Sequence, residues 1–444
     1  MPLSYKPRWL PTRIWSGWLA LLALLLAGPA LAHPVPNSVV LLDIRPASVA
    51  AELQLPLQEL QPAFGHGEIA RYPDSLLVYY APALRAYLRQ HIHPTSPDGR
   101  PWTVQVGALR VGGAEQTDTG SYQQLLAQVQ LLPPPGTSPR TFTLHYDVIV
   151  HQVVTHVTLV AVRQDWETGR FAEHPPTEVG VIRLSPRDNV ISPLQVHEAA
   201  GGWWAGFRGM VGLGTQHIAA GTDHLLFLLV LLLPAPLLMR FGRWDKFGGV
   251  RYSVRRLLLI VSAFTLGHSL TLLLGALGWV RLPTQPIEAL IAVSILVSAG
   301  HAWRPVFAGR EAWVAAGFGL MHGLAFASTL AGLHLDAGRL ALSILGFNLG
   351  IELMQLFVIA LTVPWLLLLS RTPAYPAVRV GGAGLAGVAA LAWLAERLSG
   401  QPNALAGAVA RAADYAPWLL ALLATGALLG TWRQRRTQAK QATI

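Results

Sequence analysis

The sequence predicts an α-helical polytopic membrane bundle of about seven transmembrane helices, preceded by a mainly β, sandwich-like extracytoplasmic domain. Three observations carry that prediction. Only 13% of the 444 residues are charged, against about 25% in an ordinary soluble domain, and the deficit falls mostly after residue 205. From residue 209 onward, apolar segments near the length of a membrane span recur. Before residue 200, short segments rich in Val, Leu and Thr often alternate in polarity, as half-buried strands do.

Residues 1–32 read as a secretory signal peptide. Lys6, Arg8 and Arg13 form a basic region, the apolar run 18–27 is short, and Ala30, Leu31 and Ala32 supply a cleavage site. Cleavage there would leave His33 as the mature N-terminus, whose amine and imidazole together suit copper(II) or nickel. His145, His151 and His156 lie further along in strand-like segments and are candidate helpers of such a chelate.

Residues 33–200 have the length of one domain. Segments 39–44, 49–55, 102–111, 141–150 and 153–162 read as strands, Pro133 to Gly136 as a loop between strands, and 83–91 as a short amphipathic helix. An antiparallel sandwich is the expected result. The region carries no catalytic motif, and its size suits a role in binding an extracytoplasmic protein partner.

Residues 205–435 hold seven candidate spans: 209–233, 257–280, 287–303, 312–333, 342–369, 380–398 and 416–432, with 436–444 as a tail. With the first domain outside, the inside loops carry Arg240, Arg243, Lys246, Arg251, Arg255, Arg256, Arg304, Arg310, Arg371 and Arg379, and the tail carries Arg433, Arg435, Arg436 and Lys440. The outside loops hold Arg281, Arg339, Arg397 and Arg411. That is the positive-inside asymmetry, and it places the chain in the inner or plasma membrane with the C-terminus cytoplasmic. The net charge of +10 is thereby explained by topology, with the lipid bilayer as partner and no nucleic acid. The chain has no cysteine, which excludes disulfides and thiolate ligands.

Within the spans sit His217, Asp223, His224, His268, His322, Asn348 and Glu352. Ionisable groups in a membrane are costly and usually functional. Imidazole and carboxylate without thiolate form the ligand set of nickel, cobalt or zinc, so these seven residues are the candidate ligands of a divalent metal. On a straight helix His217 and His224 would lie about 10.5 Å apart along the axis, beyond the reach of one ion. Either a break near Gly214 or Gly221 folds them together, or they are successive stations on a path. Asn348, Glu352 and Gln355 form one polar stripe. Gly319 with Gly323, and Gly346 with Gly350, are small-xxx-small pairs enclosing His322 and Asn348, a pattern that lets helices approach closely. Glu288 and His301, at the ends of the third span, sit where polar residues cost little and read as structural.

The stretch from His217 to Gly221, Thr222, Asp223 and His224 resembles the H-P-x-x-G-x-D-H signature of the HupE/UreJ proteins. Leu266 to Ser269 is similar to the L-G-H-S motif of nickel/cobalt permeases, Phe318 to Gly323 to the F-G-x-x-H-G segment of HupE-like proteins, and Phe347 to Glu352 to their F-N-x-G-x-E segment. The added first domain looks like the longer branch of that family. Ile218 stands where shorter members have Pro, and five residues separate His217 from Asp223 where the permease signature has four. The resemblance implies a nickel or cobalt permease supplying hydrogenase or urease maturation, with the metal as cargo and no enzymatic activity. The rivals are an intramembrane zinc hydrolase and an accessory or assembly protein acting through the outer domain.

Overall fold

The computed structural model describes residues 36–66, 69–71, 73–116, 120–280 and 282–442. The signal peptide and the N-terminal chelate expected over residues 1–33 fall outside the described residues.

The N-terminal region is built of nine strands among the described residues: β1 (Ser38–Ile44), β2 (Val49–Pro56), β3 (Ile92–Thr95), β4 (Thr103–Gln116), β5 (Gly120–Leu132), β6 (Thr141–Tyr146), β7 (Val157–Asp165), β8 (Thr177–Arg183) and β9 (Leu194–His197). Two helices, α1 (Leu57–Phe64) and α2 (Pro73–Gln90), join them. The large sheet runs β4-β5-β2-β1-β7-β8 and the small one β3-β6-β9. Leu42, Leu53, Val129 and Val160 from the large sheet share one core with Phe142 and Leu144 from the small sheet and Leu60, Leu84 and Leu88 from the helices. Two sheets face a common core, as the sandwich reading expects.

The pairing is antiparallel throughout the two sheets except between β1 and β7, which run parallel with Val40 opposite Val160. The chain leaves the small sheet after Tyr146, makes a turn over residues 147–156, and re-enters the large sheet at Val157. That turn is why the strands read at 141–150 and 153–162 are shorter than their apolar content. Strand β5 escapes the sequence reading because its first half, Gly120 to Gln124, is polar, and Gln128 and Gln130 interrupt its inward Leu125, Ala127, Val129 and Leu131.

The rest is helical: α3 (Trp203–Ala220), α4 (Thr222–Leu232), α5 (Val250–Ala276), α6 (Thr284–Trp303), α7 (Glu311–Gly332), α8 (Ala337–Leu369), α9 (Tyr375–Ser399), α10 (Ala404–Ala413) and α11 (Ala416–Ala442). Five of these are long and apolar enough to cross a membrane. The bent pairs α3–α4, at 72°, and α10–α11, at 68°, bring the count to as many as seven. A hairpin of β10 (Leu237–Arg240) and β11 (Arg243–Phe247), turning at Phe241 and Gly242 with positive φ, sits among the basic residues after α4.

The outward faces of the helices are apolar, and their buried polar residues point inward. On α5, Leu266 is 72% exposed while His268 is 0% exposed, and Leu258, Leu259 and Leu270 share the outer face. Such a surface is stable against lipid, not water.

Two helix pairs are drawn very close by glycine. A Cβ on Gly350 would lie 2.1 Å from the Val211 carbonyl oxygen, so α8 lies almost backbone to backbone on α3. A Cβ on Gly319 would lie 2.1 Å from the Phe264 carbonyl oxygen, and one on Gly323 would lie 2.2 Å from that of His268, seating α7 on α5 in the same way. Both small-xxx-small pairs read from the sequence are therefore helix contacts, and both lie beside a polar residue of the candidate site.

The long helix α8 fixes the ends of the molecule. Its 33 residues span about 50 Å. At its start Arg339 pairs with Glu167 at 2.5 Å and Ser343 accepts a hydrogen bond from Trp166 Nε1 at 2.8 Å, both from the β-rich region. Just past its far end, Arg371 stacks over Phe247 of the hairpin. The β-rich region and the arginine-rich hairpin thus cap opposite ends of the bundle.

Candidate metal centre

The chain breaks between α3 and α4. Gly221 closes α3 by donating to the His217 carbonyl at 3.0 Å, and then opens α4 with extended backbone. No proline is needed. A Cβ at Gly221 would meet the His217 carbonyl oxygen at 2.7 Å and His224 Nδ1 at 2.8 Å, so the fold requires glycine here. The bend brings the His217 and His224 rings to 4.7 Å between centroids. Of the two geometries the sequence allows, the structure adopts the folded one.

His224 continues to His322 on α7 at 4.8 Å, and His217 to His268 on α5 at 6.4 Å. The four rings therefore run as a chain, His268–His217–His224–His322, through the middle of the bundle. His217, His268 and His322 are packed among Phe227, Phe264, Phe326 and Phe347. The apolar rings lower the local dielectric and strengthen electrostatic contacts among the imidazoles.

Three of the rings have a neighbour that determines which nitrogen carries the proton. Asp223 Oδ1 accepts from His224 Nδ1 at 2.9 Å, which leaves Nε2 with the lone pair. Asn348 spends its amide NH₂ on the Ile344 carbonyl at 2.8 Å, so its oxygen faces His268 Nδ1 at 3.4 Å and accepts, again freeing Nε2. Ser294 on α6 donates its hydroxyl hydrogen to the Ile291 carbonyl at 2.7 Å. Toward His322 Nε2, at 3.3 Å, it can then only accept, so the lone pair of His322 falls on Nδ1.

The atoms left over are the informative ones. His217 Nε2, His224 Nε2, His268 Nε2 and His322 Nδ1 are buried and have no hydrogen-bond partner within the protein. An orphaned buried polar atom costs about 1–3 kcal/mol. Four in one cluster, three of them held as lone-pair donors by carboxylate, amide or hydroxyl, match how proteins prepare imidazoles for metal.

A cavity of about 480 Å³ reaches this cluster. Its lining combines His217, Asp223 and His224 with Glu288 at the start of α6, Arg397 at the end of α9 and Glu173 from the β-rich region. Glu288 pairs with Arg397 at 3.1 Å across the mouth. The opening therefore faces the end of the bundle that carries the β-rich region, and its three carboxylates against one guanidinium leave a net negative lining that favours cations.

Glu352 lies apart from the rings. It accepts from Ser262 at 3.1 Å, one turn of α8 beyond Asn348, while Gln355 accepts from Thr265 at 3.3 Å. Thr265 and Gln355 are buried and continue from His268 toward the hairpin end, whereas the Ser262–Glu352 pair lies at the outer side of the bundle, with Ser262 exposed beside Leu258 and Leu259. His301 stacks on Phe307 at 3.7 Å and receives the backbone N–H groups of Val306 and Phe307, a structural loop contact outside the cluster. Sequence reasoning passed over Ser294 and Glu173 and set Glu288 aside as a boundary residue. Ser294 sits in an apolar run and carries no motif, and Glu173 is brought in from another part of the chain.

Residues 194–397 match the family described as HupE / UreJ protein. No curated protein and no solved structure matches the chain.

Proposed function

With residues 194–397 forming a HupE/UreJ segment, we propose that this protein is a membrane permease for divalent nickel or cobalt. The family is linked to nickel and cobalt transport for hydrogenase and urease, and is a transporter or accessory family, not an enzyme family. The observation that carries the reading is the row of four buried imidazole nitrogens without partners, continuous with a carboxylate-lined cavity. His217, Asp223, His224, His268 and His322 bind the ion, and Asn348 orients His268. Gln355 continues the path toward the hairpin end, with Glu352 at its outer edge.

A row suits transport better than storage. A tight zinc centre closes four ligands around one ion at about 2.0–2.3 Å. Among the described residues no three ligand atoms of this row lie within 4.8 Å of one another, so the imidazoles offer successive weak sites that can be left as readily as entered. The basic loops at the hairpin end support an orientation with residues 33–200 extracytoplasmic and the C-terminus cytoplasmic. Cations then enter from the outer cavity, and import into the cell serves hydrogenase or urease maturation.

Nickel and cobalt uptake by vesicles reconstituted with the purified protein tests this. His224→Ala and Asp223→Ala should each abolish most uptake while the protein remains folded. Uptake equal to that of the unaltered protein would discard the permease. Zinc retained one-to-one through exhaustive dialysis, with peptide or ester hydrolysis, would replace it by the hydrolase reading.

A further inference from the structure

The β-rich region holds a second group of ligand-type side chains that the membrane path does not use. His91 follows α2 directly, and Asp147 and His151 lie on the turn after β6. One ligand atom from each falls within 4.8 Å of the other two, and among the described residues this is the group of three that meets that spacing.

The group is built, not incidental. Asp147 N donates to the His91 carbonyl at 3.2 Å, and His151 N donates to the Asp147 carbonyl at 3.0 Å. Ile149 at the centre of the turn has φ 67°, a left-handed conformation that a β-branched residue rarely adopts. It is held there by Tyr87 of α2, whose hydroxyl accepts from Ile149 N at 3.1 Å. Strained backbone kept in place by its surroundings marks functional turns.

Both imidazoles are anchored on Asp147. His91 Nδ1 lies 2.8 Å from Asp147 Oδ1, and His151 Nδ1 lies 3.0 Å from the Asp147 carbonyl oxygen. The two imidazoles stack with centroids 4.1 Å apart and planes within 18°. Asp147 is 40% and His91 14% exposed at the side chain, so solvent reaches the group from one side.

We propose that His91, Asp147 and His151 form a second, exchangeable site for a borderline divalent cation such as cobalt, nickel or zinc. Two neutral nitrogens and one carboxylate match that class, and water fills the remaining positions. Half exposure keeps the ion in exchange with solvent, unlike the enclosed imidazoles in the membrane. The site stands independently of the permease reading, because it shares no residue with the row of rings.

Cobalt(II) alone is the probe, added to the full chain in detergent micelles, with bound ion counted by equilibrium dialysis and coordination followed by visible absorption. His91→Gln combined with His151→Gln should remove one cobalt per chain and its absorption band, while His217→Ala with His224→Ala should leave that band intact. Asp147→Asn, which keeps the turn's hydrogen bonds, should weaken the same site at least tenfold and guards against misfolding of the double variant. Cobalt binding unchanged from the unaltered protein in both the His91/His151 and the Asp147 variants overturns the proposal. A band lost in those variants, with no cobalt attributable to His217 and His224, would sink the permease and leave this site standing.

Discussion

Ser294 shows how much of the candidate site rests on residues that never touch an ion. Its hydroxyl is committed to the Ile291 carbonyl, and that single fact turns the His322 lone pair toward His224. Replacing Ser294 by Ala frees His322 to adopt the other tautomer. Loss of such a partner typically costs 10–100-fold in metal affinity, and cobalt titration of the purified variant should show a drop of about that size. Unchanged affinity would mean that His322 is not a ligand. In the β-rich region a different histidine governs the response to acid. Burial pushes the His156 imidazole from 6.5 down to about 4, beside Ser38 at 2.7 Å. Above pH 7 folded and unfolded chains both hold it neutral. As pH falls below about 6.5 only the unfolded chain takes the proton, so stability declines until about pH 4, by about 3 kcal/mol in total. Chemical denaturation of the unaltered protein and His156→Gln across that range should give profiles whose difference has this slope. Parallel profiles would mean that His156 is solvated.

At the scale of elements, the helix contacts are set by where side chains are missing. Gly317 and Gly319 share one helix, yet a Cβ on Gly317 meets nothing within 4 Å while one on Gly319 would lie 2.1 Å from a backbone carbonyl. Gly317→Ala should be neutral or stabilising, by up to about 1 kcal/mol from helix propensity. Gly319→Ala must push α7 off α5, and overpacking of this kind costs about 1–3 kcal/mol or more. Thermal unfolding in detergent should separate the two variants, and equal melting would mean that the pair is looser than described. The glycine spacing was legible in the sequence because close packing leaves a small-xxx-small trace. The break at Gly221 was legible only as an alternative, since a glycine can bend a helix or sit quietly within it, and the break between α10 and α11 was not read from the sequence. The hairpin at Leu237–Phe247 left no signal, because its strands are only four and five residues long and lack clear alternation.

Across the whole molecule, one corner of the β-rich region is latched to the bundle. Trp166 is buried with its Nε1 on Ser343 and its ring over Gly206, where a Cβ would lie 2.7 Å away. Arg339 pairs with Glu167 and lies over the rings of Trp166 and Trp203. This latch stands near the cavity mouth, to which the same region contributes Glu173. Trp166→Ala removes the core of the contact, at roughly 3–5 kcal/mol. Calorimetry should then resolve two transitions where the unaltered protein shows one. A single transition retained in the variant would show that the two regions are joined by other means.

By itself the sequence determined the division into a β-rich region and a set of apolar helices, and it named the imidazoles and carboxylates between them. Both follow from local facts: periodicity, segment length and the cost of charge in an apolar run. Tertiary structure alone decided which of those groups meet. Gly221 could bend or not, Glu288 could be a surface charge or a cavity wall, and His91, Asp147 and His151 come together from two elements 56 residues apart. Convergence depends on how helices and turns pack in three dimensions, and spacing along one chain carries no record of distances between chain-distant atoms.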